Sequence, residues 1–278
     1  MLSRVLTLSK IEIYKILRLK YAYLLVVFVV LNAFLVGLGS RIFPEFIAAL
    51  RGGGGGAVFD GYTFASIIAS GTFSSAGAGT IAMLAFSGSL ISTETDSGTI
   101  KNILVRPIKR ADFILSKAAV LFVYCLLVVI VTAVLSIASG AMLYGMGNIT
   151  IAETGEIFRT RPEMLGNLGI SYLMDLLSIY TVGCMGLFLS VLINNAGWAV
   201  ITALVVYFPI MFLKNFQAFS PWIFTAYMDL GQNILREMAV VKSRTWAPEV
   251  YYFLAVNVGT IIVCLGLSLF IFKRKEIN

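Results

Sequence analysis

Long apolar runs separated by short polar segments make up most of the sequence from residue 21 onwards. A helix that crosses a membrane needs about 20 mostly apolar residues, because the hydrocarbon core of a bilayer is about 30 Å thick. Six runs approximately meet this standard. They occupy residues 21–40, 62–92, 118–144, 168–193, 197–213 and 250–272. The pattern therefore predicts an all-α integral membrane protein, with six transmembrane helices in a single domain that covers residues 1–278.

The run at residues 62–92 is longer than a membrane requires, so its helix is expected to tilt or to extend beyond the hydrocarbon. Within this run the small residues Gly71, Ser75 and Gly79 recur at positions i, i+4 and i+8. On one continuous helix they would form a ridge that lets a neighbouring helix approach closely. The sequence therefore predicts a helix-packing surface here, either within the subunit or between two subunits.

Basic residues are distributed unequally between the two sides of the six predicted spans. Thirteen lie on the side shared by both termini, close to the spans, and eight lie in the longer connections on the opposite side. Because short cytoplasmic loops carry an excess of Lys and Arg, both termini are expected in the cytoplasm. Segment 93–117 would share this side, since it connects the second span to the third.

Two segments outside the spans have mixed polarity. In residues 1–20 apolar and basic positions fall largely on different faces, which favours an interfacial helix along the inner leaflet. The alternative for this segment is a simple basic flank of the first span. Residues 214–249 form a long outer loop, part of which is expected to form short helices that dip back toward the membrane. An ordinary amphipathic outer cap is the alternative for this loop.

The composition agrees with a membrane protein. Hydrophobic residues make up 59% of the chain and charged residues 13%, whereas soluble domains contain roughly 25% charged residues. The net charge of +7 is better explained by membrane topology than by nucleic-acid binding, because basic residues cluster at span ends. The chain has no histidine, and its three cysteines lie in apolar runs without CxxC spacing. No metal site is therefore expected.

Asp175 is the acidic residue that lies well inside a predicted span. A charged side chain within the bilayer is costly, so Asp175 should face protein or water rather than lipid. One interpretation is a residue of the translocation pathway that contacts a cationic or polar substrate. The alternative is a hydrated carboxylate near the outer interface, in agreement with its position seven residues into the span.

Segment 93–117 concentrates charged residues between two uncharged apolar runs. Asp96 or Ser97 is placed to cap the start of a short helix, and Pro107 is placed to end or kink it. Asp112 would then cap the helix that continues into the third span. The apolar positions of the short helix are Ile100, Ile103 and Leu104. Two interpretations follow: a helix that anchors basic side chains in anionic lipid, or a docking element for a soluble partner.

The order of residues in this segment resembles the signature E…GT-x-K-x-x-L-x-x-P-x-x-R…K of type-2 ATP-binding-cassette permeases. The matching residues are Glu94, Gly98, Thr99, Lys101, Leu104, Pro107, Arg110 and Lys117. In that family the segment is the coupling helix, which contacts a cytoplasmic ATPase. The resemblance implies that the Gly-Thr pair and the proline shape the helix ends. It also implies that Lys101 and Arg110 make polar contacts, and that Ile103 or Leu104 fills a groove on the ATPase.

No GxxxxGK[ST] sequence or recognisable nucleotide-binding domain occurs in the chain. The resemblance therefore implies a multi-pass permease subunit, not itself an enzyme, of an ATP-driven exporter in the cytoplasmic membrane of a prokaryote. A separate cytoplasmic ATPase would bind ATP and magnesium, and this chain would need no cofactor. A second permease subunit, identical or homologous, would complete the transporter. The expected partners are these two proteins and membrane lipid, without nucleic acid.

An ATP-independent channel or secondary carrier is the alternative function. Ion-coupled carriers normally contain more ionisable residues within the membrane than Asp175 alone. An intramembrane enzyme is disfavoured, because the chain has no histidine, no HExxH and no convergent acidic pair inside the predicted spans.

Overall fold

The structure, a computed structural model, describes residues 27, 30–32, 34, 35, 60–99, 109–150, 157–238, 246 and 248–274. The described residues between 27 and 35 are helical. The later helices are α1 (Gly61–Phe73), α2 (Ala78–Ser89), α3 (Ser92–Asp96), α4 (Arg110–Tyr144), α5 (Arg161–Leu192), α6 (Ala196–Leu213), α7 (Leu230–Met238) and α8 (Glu249–Arg274). Two 3₁₀ turns, Ser220–Trp222 and Phe224–Ala226, precede α7. An antiparallel pair of short strands, β1 (Ile149–Thr150) and β2 (Ile157–Arg159), lies between α4 and α5 and is the exception to the predicted all-α fold.

Five segments in the described part of the chain are long and apolar enough to cross a membrane. They are Gly61–Asp96, Arg110–Tyr144, Arg161–Leu192, Ala196–Leu213 and Glu249–Arg274. These correspond to the second to sixth predicted spans, although α4 and α5 begin several residues before the apolar runs do. The protein is therefore helical and compatible with a multi-pass membrane protein. The predicted interfacial helix at 1–20, and most of the predicted first span at 21–40, fall outside the described residues.

The second predicted span is not one helix. Helix α1 ends at Phe73 and α2 begins at Ala78, and residues 74–77 between them form a bend and a turn, which we call the interruption. Its sequence, Ser-Ser-Ala-Gly, includes residues that compete poorly for helix against turn conformations. Gly77 is required there by close packing, because an added Cβ would lie 2.5 Å from a carbonyl oxygen of the preceding turn.

The interruption corrects the predicted ridge of small residues. Gly71 lies in α1, Ser75 in the interruption and Gly79 in α2, so the three do not share one helical face. An added Cβ at Gly71 would lie 3.3 Å from Asn32 Oδ1, and one at Gly79 would lie 2.6 Å from Thr72 Cγ2. Sequence spacing predicts a ridge only where the helical repeat persists across it.

Helix α5 forms the centre of the bundle. It packs against α1, α2, α4, α6, α7 and α8. In its most apolar stretch 72% of residues are buried, compared with 17% in α6 and in α8. These two outer helices therefore expose apolar side chains, among them Val205 and Ile262. Exposure of such a surface to water is unfavourable, whereas contact with lipid is favourable.

Helix α6 is much shorter than its neighbour α5. Helices α3, α5 and α8 finish, and α4 and α6 begin, at one end of the bundle, which we call the loop end. The 18 residues of α6 span about 27 Å from this end, whereas the 32 residues of α5 span about 48 Å. The described residues after α6 occupy the remaining space, where α7 packs against α1 and α5. This part of the predicted outer loop thus lies beside the helices.

Candidate functional site

A buried ion pair joins the two sides of the predicted coupling segment. Lys117 Nζ, in α4, donates to Glu94 Oε1, in α3, at 2.9 Å. The Lys117 side chain is 2% exposed and that of Glu94 is 14% exposed, so water screens the pair weakly. The chain that leaves α3 and the chain that enters α4 are therefore held together. We call the group formed by Glu94, Asp96, Arg110 and Lys117 the loop base.

Arg110 connects the loop base to α8. Its Nη1 donates to the carbonyl oxygens of Phe272, at 3.2 Å, and Lys273, at 3.1 Å. These carbonyls belong to the last described turn of α8, near the negative end of the helix dipole, where a cation is favourable. The ring of Phe272 also stacks on Phe113 of α4, with centroids 5.5 Å apart. The start of α4 and the end of α8 are thus attached by both polar and apolar contacts.

Asp96 connects the loop base to α6. Its carboxylate oxygens accept from Asn195 Nδ2 and from the backbone N–H of Ala196, each at 3.4 Å. A carboxylate is stabilised at this position by the free N–H groups and the positive dipole end of α6. Asn195 caps the same helix, since its Oδ1 accepts from the N–H of Trp198 at 3.1 Å.

Ser190 attaches the central helix to the same region. Its hydroxyl oxygen accepts from the backbone N–H groups of Ile91 and Ser92, both at 2.9 Å. These N–H groups lie at the start of α3, where no earlier helical carbonyl reaches them. Consequently all five described spans contribute a contact at or next to the loop base.

Gly98 and Thr99 lie where the chain leaves α3. Gly98 has φ +68°, a left-handed conformation that glycine adopts readily after a helix end. Thr99 is helical and its Oγ1 donates to the Glu94 carbonyl at 3.2 Å. Ser97 is the C-cap of α3, and Asp96 faces α6. Both residues therefore belong to the end of α3, a helix that the sequence pattern does not predict. Nearly all of the following helix lies outside the described residues, and its predicted cap by Asp96 or Ser97 stays a prediction.

The other predicted residues of the segment divide into two groups. Asp112 does not cap α4, because Lys109 occupies the N-cap and Asp112 lies buried in the first turn. A carboxylate is still favourable there, next to the positive end of the helix dipole. Four predicted contact residues lie outside the described residues, and their roles stay predictions. They are Lys101, Ile103, Leu104 and Pro107.

A second polar region surrounds the interruption. A cavity of about 470 Å³ lies beside it, a volume within the range of small-ligand sites. Its walls come from the first span, α1, the interruption, the end of α6 and α7. The polar side chains among the lining residues include Asn32, Ser70, Ser75, Lys214, Asp229 and Arg236.

Lys214 follows α6 directly and turns toward the interruption. Its Nζ contacts Ser75 Oγ and lies 3.5 Å from Asp229 Oδ2. The hydroxyl of Tyr207, which lies about two turns before Lys214 in α6, donates to the Ser75 carbonyl at 2.7 Å. Tyr207 thus satisfies a backbone carbonyl of the interruption, and Lys214 binds a side-chain hydroxyl there.

Arg236, in α7, contacts the part of the cavity wall that α1 forms. Its Nε donates to Ser66 Oγ at 3.0 Å and its Nη2 to Ser70 Oγ at 2.6 Å, both on α1. Burial lowers the pKa of the Arg236 guanidinium, and the nearby Asp229 carboxylate opposes that shift. The guanidinium remains a cation at neutral pH, because its ordinary pKa is far higher. Among its described lining residues, the cavity therefore contains two cations and one carboxylate.

Asp175 lies near the middle of α5 and is 1% exposed. Its Oδ2 accepts from Gln232 Nε2 of α7 at 2.5 Å. The interpretation as a hydrated carboxylate near the outer interface is therefore wrong, because α5 starts at Arg161 and α7 covers the site. The hydrogen bond instead attaches α7 to the central helix.

The sequence pattern missed the residues that α7 brings to the helices. Asp229, Gln232 and Arg236 lie in the predicted outer loop at 214–249, and no role is predicted for them, although the apolar residues of α7 recur at helical spacing. The buried apolar residues of this helix are Ile234, Leu235 and Met238. This periodicity was the available signal for an amphipathic helix with one buried face.

The described residues offer few metal ligands. Nowhere among them do three or more His, Cys, Asp or Glu side chains come together as a possible metal site. The cysteines are free thiols buried within spans, at positions Cys125, Cys184 and Cys264. Binding chemistry in this part of the chain therefore rests on charge and hydrogen bonding.

Known proteins similar to this chain give little functional information. Over 115 residues it is 28% identical to "Uncharacterized protein YhcI" of Bacillus subtilis (strain 168). That alignment covers 40% of this chain and 37% of the length of that relative. A family model matches residues 23–278, which include the loop base and the cavity. Because this match covers most of its length, the chain belongs to the family described as "Protein of unknown function (DUF2705)".

Proposed function

We propose that this chain is the permease subunit of an ATP-driven exporter, and that a separate cytoplasmic ATPase acts on segment 93–117. The observation that carries the proposal is the loop base. An ion pair closes the segment there, hydrogen bonds attach it to α6 and α8, and the residue just before it, Ser92, binds Ser190 of α5. A segment fixed in this way transmits a displacement to the spans instead of absorbing it. Its resemblance to the type-2 coupling signature supports an ATPase as the source of the displacement.

The mechanism follows from differential binding. ATP binds the closed arrangement of two ATPase subunits more tightly than the open one, and so shifts the population toward closure. Closure moves the docked segment, and the loop base passes that movement to the ends of five spans. The rigid 35-residue helix α4 spans about 52 Å and carries the movement to the opposite end of the bundle. A second permease subunit, identical or homologous, supplies the other wall of the pathway.

Co-purification tests this proposal. The chain is co-expressed with a candidate ATP-binding-cassette ATPase, purified in detergent, and assayed for bound ATPase and for ATP hydrolysis. We expect the ATPase to co-purify with the wild-type chain. Gly98→Pro and Arg110→Glu should reduce its association at least roughly tenfold, since each change disturbs the geometry of the loop base. Arg161→Glu makes the same charge change at an exposed position at the opposite end and should leave association unchanged.

Two results would contradict the proposal. One is the absence of any associated ATPase together with transport that proceeds without ATP in reconstituted vesicles. The other is unchanged ATPase association in both loop variants, which would return the segment to lipid anchoring. Membrane insertion of each variant is checked by its extraction with detergent but not with alkaline buffer.

An ATP-independent channel or secondary carrier is the second candidate function. It is favoured by the charged residues that pack around α1, α5 and α7, which are more numerous than the sequence alone indicated. They are Asp175, Lys214, Asp229 and Arg236. Vesicles that contain only this chain distinguish the two candidates, because a carrier would move solute in response to an ion gradient alone.

A further inference from the structure

We infer that the cavity at the interruption binds the acid group of an organic anion, with Lys214 and Arg236 as its charged hydrogen-bond donors. This binding does not require ATP or an ATPase, so it goes beyond the proposed transport cycle. Either an anionic lipid or a water-soluble organic acid could provide the same acid group.

The charge balance of the cavity is the first reason. In the described lining, Lys214 and Arg236 face one carboxylate, that of Asp229, which leaves one positive charge in excess. Within the described part of the chain, Arg236 donates to serine oxygens on α1 and has no carboxylate within ion-pair distance. The Lys214–Asp229 separation of 3.5 Å is longer than the 2.7–2.9 Å typical of a charge-assisted hydrogen bond. Both cations therefore retain capacity to bind an anion.

A purely structural role accounts for only part of this charge. The two cations lie near the C-terminal end of α1, whose dipole corresponds to roughly half a negative charge. That partial charge is smaller than the excess of one cation. In addition, Asn32 Oδ1 is buried at the cavity wall and finds no hydrogen-bond partner among the residues that the structure describes. A ligand hydroxyl or amide would satisfy this oxygen.

The size and lining of the cavity indicate an organic body on the anion. Its volume of about 470 Å³ far exceeds the roughly 30 Å³ that one water molecule occupies in the liquid. Ile67, Gly71 and Ala76 add apolar surface beside the charged groups. The site therefore suits a molecule with an acid group at one end and an apolar part at the other.

The position of the cavity along the bundle agrees with an amphipathic ligand. Helices α2 and α3, together with their connection, extend from Ala78 to Asp96, which corresponds to roughly 28 Å. This distance is close to the thickness of the hydrocarbon layer, about 30 Å. If the hydrocarbon layer begins at the loop base, its other boundary lies at the level of Lys214. A ligand bound there would place its acid group in water and its apolar part in lipid.

Binding is measured on the full chain alone, in nanodiscs of phosphatidylcholine. The soluble probe is phenyl phosphate, with benzyl alcohol as the uncharged control, and affinity is determined by calorimetry. In a second arm, native mass spectrometry follows retention of phosphatidylglycerol mixed into the discs. We expect phenyl phosphate, phosphatidylglycerol or both to bind in preference to the uncharged or zwitterionic control. The arm that responds identifies the source of the acid group.

Four variants test the assignment. Lys214→Gln and Arg236→Gln should each weaken anion binding roughly tenfold or more, because each removes a charged donor. Asp229→Asn should strengthen it, because this change removes the competing carboxylate while asparagine still suits the residue before α7. Arg161→Gln removes a positive charge at an exposed position outside the cavity and should have no effect.

The sign of the Asp229→Asn effect is decisive. Weaker binding in this variant would indicate a cation site and overturn the inference, as would equal binding of anions and controls by the wild-type chain. Equal loss in Arg161→Gln would also overturn it, by indicating a general surface effect. If Arg236→Gln does not fold, Lys214→Gln and Asp229→Asn still decide the outcome. None of these measurements involves an ATPase, so the result is separable from the test of ATP-driven transport.

Discussion

At the scale of single residues, Lys117 and Glu94 illustrate how burial changes the effect of a charge. A surface ion pair contributes little, because water and salt screen it. Here the ammonium group is almost completely buried and its ion-pair partner lies on a different helix. Removing one member of a buried pair leaves an uncompensated charge, whereas removing both does not.

We therefore predict that Glu94→Gln and Lys117→Met each destabilise the protein, by roughly 3–5 kcal/mol when one member of the buried pair remains. The double variant should be less destabilised than the sum of the two single variants. Thermal unfolding of the detergent-solubilised chains measures the three effects. Additive losses in the double variant would contradict a direct interaction between the two side chains.

Asp175 gives a second prediction at the residue scale. Asp175→Leu removes the acceptor for Gln232 and leaves its amide buried without a partner, which should cost about 1–3 kcal/mol. Asp175→Asn keeps an oxygen acceptor and should be tolerated better. Hydrogen exchange in α7 provides the measurement, with faster exchange expected in the leucine variant. Equal protection in both variants would show that this hydrogen bond does not hold α7.

At the scale of elements, the packing of α2 on α5 is set by one glycine. An added Cβ at Gly186 would collide with Ser87 Oγ and lie 3.1 Å from the Leu84 carbonyl oxygen. The two helices can therefore approach closely only without a side chain at this position. Gly166, on the same helix, has open space around it. This pair of glycines separates the effect of a helix contact from the effect of helix propensity.

Gly186→Ala should destabilise the bundle by about 1–3 kcal/mol, because the added Cβ forces α2 and α5 apart. Gly166→Ala is the matched control and should be neutral or stabilising by up to about 1 kcal/mol, since alanine favours helix more than glycine does. Both effects are measured as changes in thermal unfolding in the same detergent. Similar losses in the two variants would be inconsistent with a specific contact at Gly186.

At the scale of the whole molecule, the two ends of the bundle carry different groups. The loop end contains the loop base, which joins four of the described spans, and the neighbouring contact of Ser190 with Ser92 adds α5. The opposite end contains the short strands, the start of α5 and the exposed Trp222 and Tyr251. The excess of basic residues on the loop side predicts that this side faces the cytoplasm.

Thiol labelling tests that orientation in intact cells. The three native cysteines are buried, so Lys109→Cys and Arg161→Cys introduce accessible thiols at opposite ends. A membrane-impermeant reagent should label Arg161→Cys from outside, whereas Lys109→Cys should react only after permeabilisation. The reverse pattern would contradict the predicted orientation of the termini.

Much of the helical architecture could be predicted from the sequence. Apolar runs identified the five described spans, because membrane length and helix rise together fix how many apolar residues a span contains. The concentration of charge also marked segment 93–117, and Glu94, Gly98, Thr99 and Arg110 lie at or beside the loop base. The partners of these residues could not be predicted. Ser190 is distant in sequence from Ser92, and the end of α8 is distant from Arg110, and only packing brings each pair together.

The sequence by itself determined which segments are apolar enough to be helices in a membrane and where charges must leave the apolar runs. These properties depend on neighbouring residues and their periodicity, so they can be inferred from the chain alone. Only the tertiary structure decided that the second span breaks at 74–77, that α7 covers Asp175, and that Lys214 and Arg236 share a cavity. Each of these features arises from contacts between distant segments. Such contacts compensate the polar groups of a broken helix, and no local pattern encodes them.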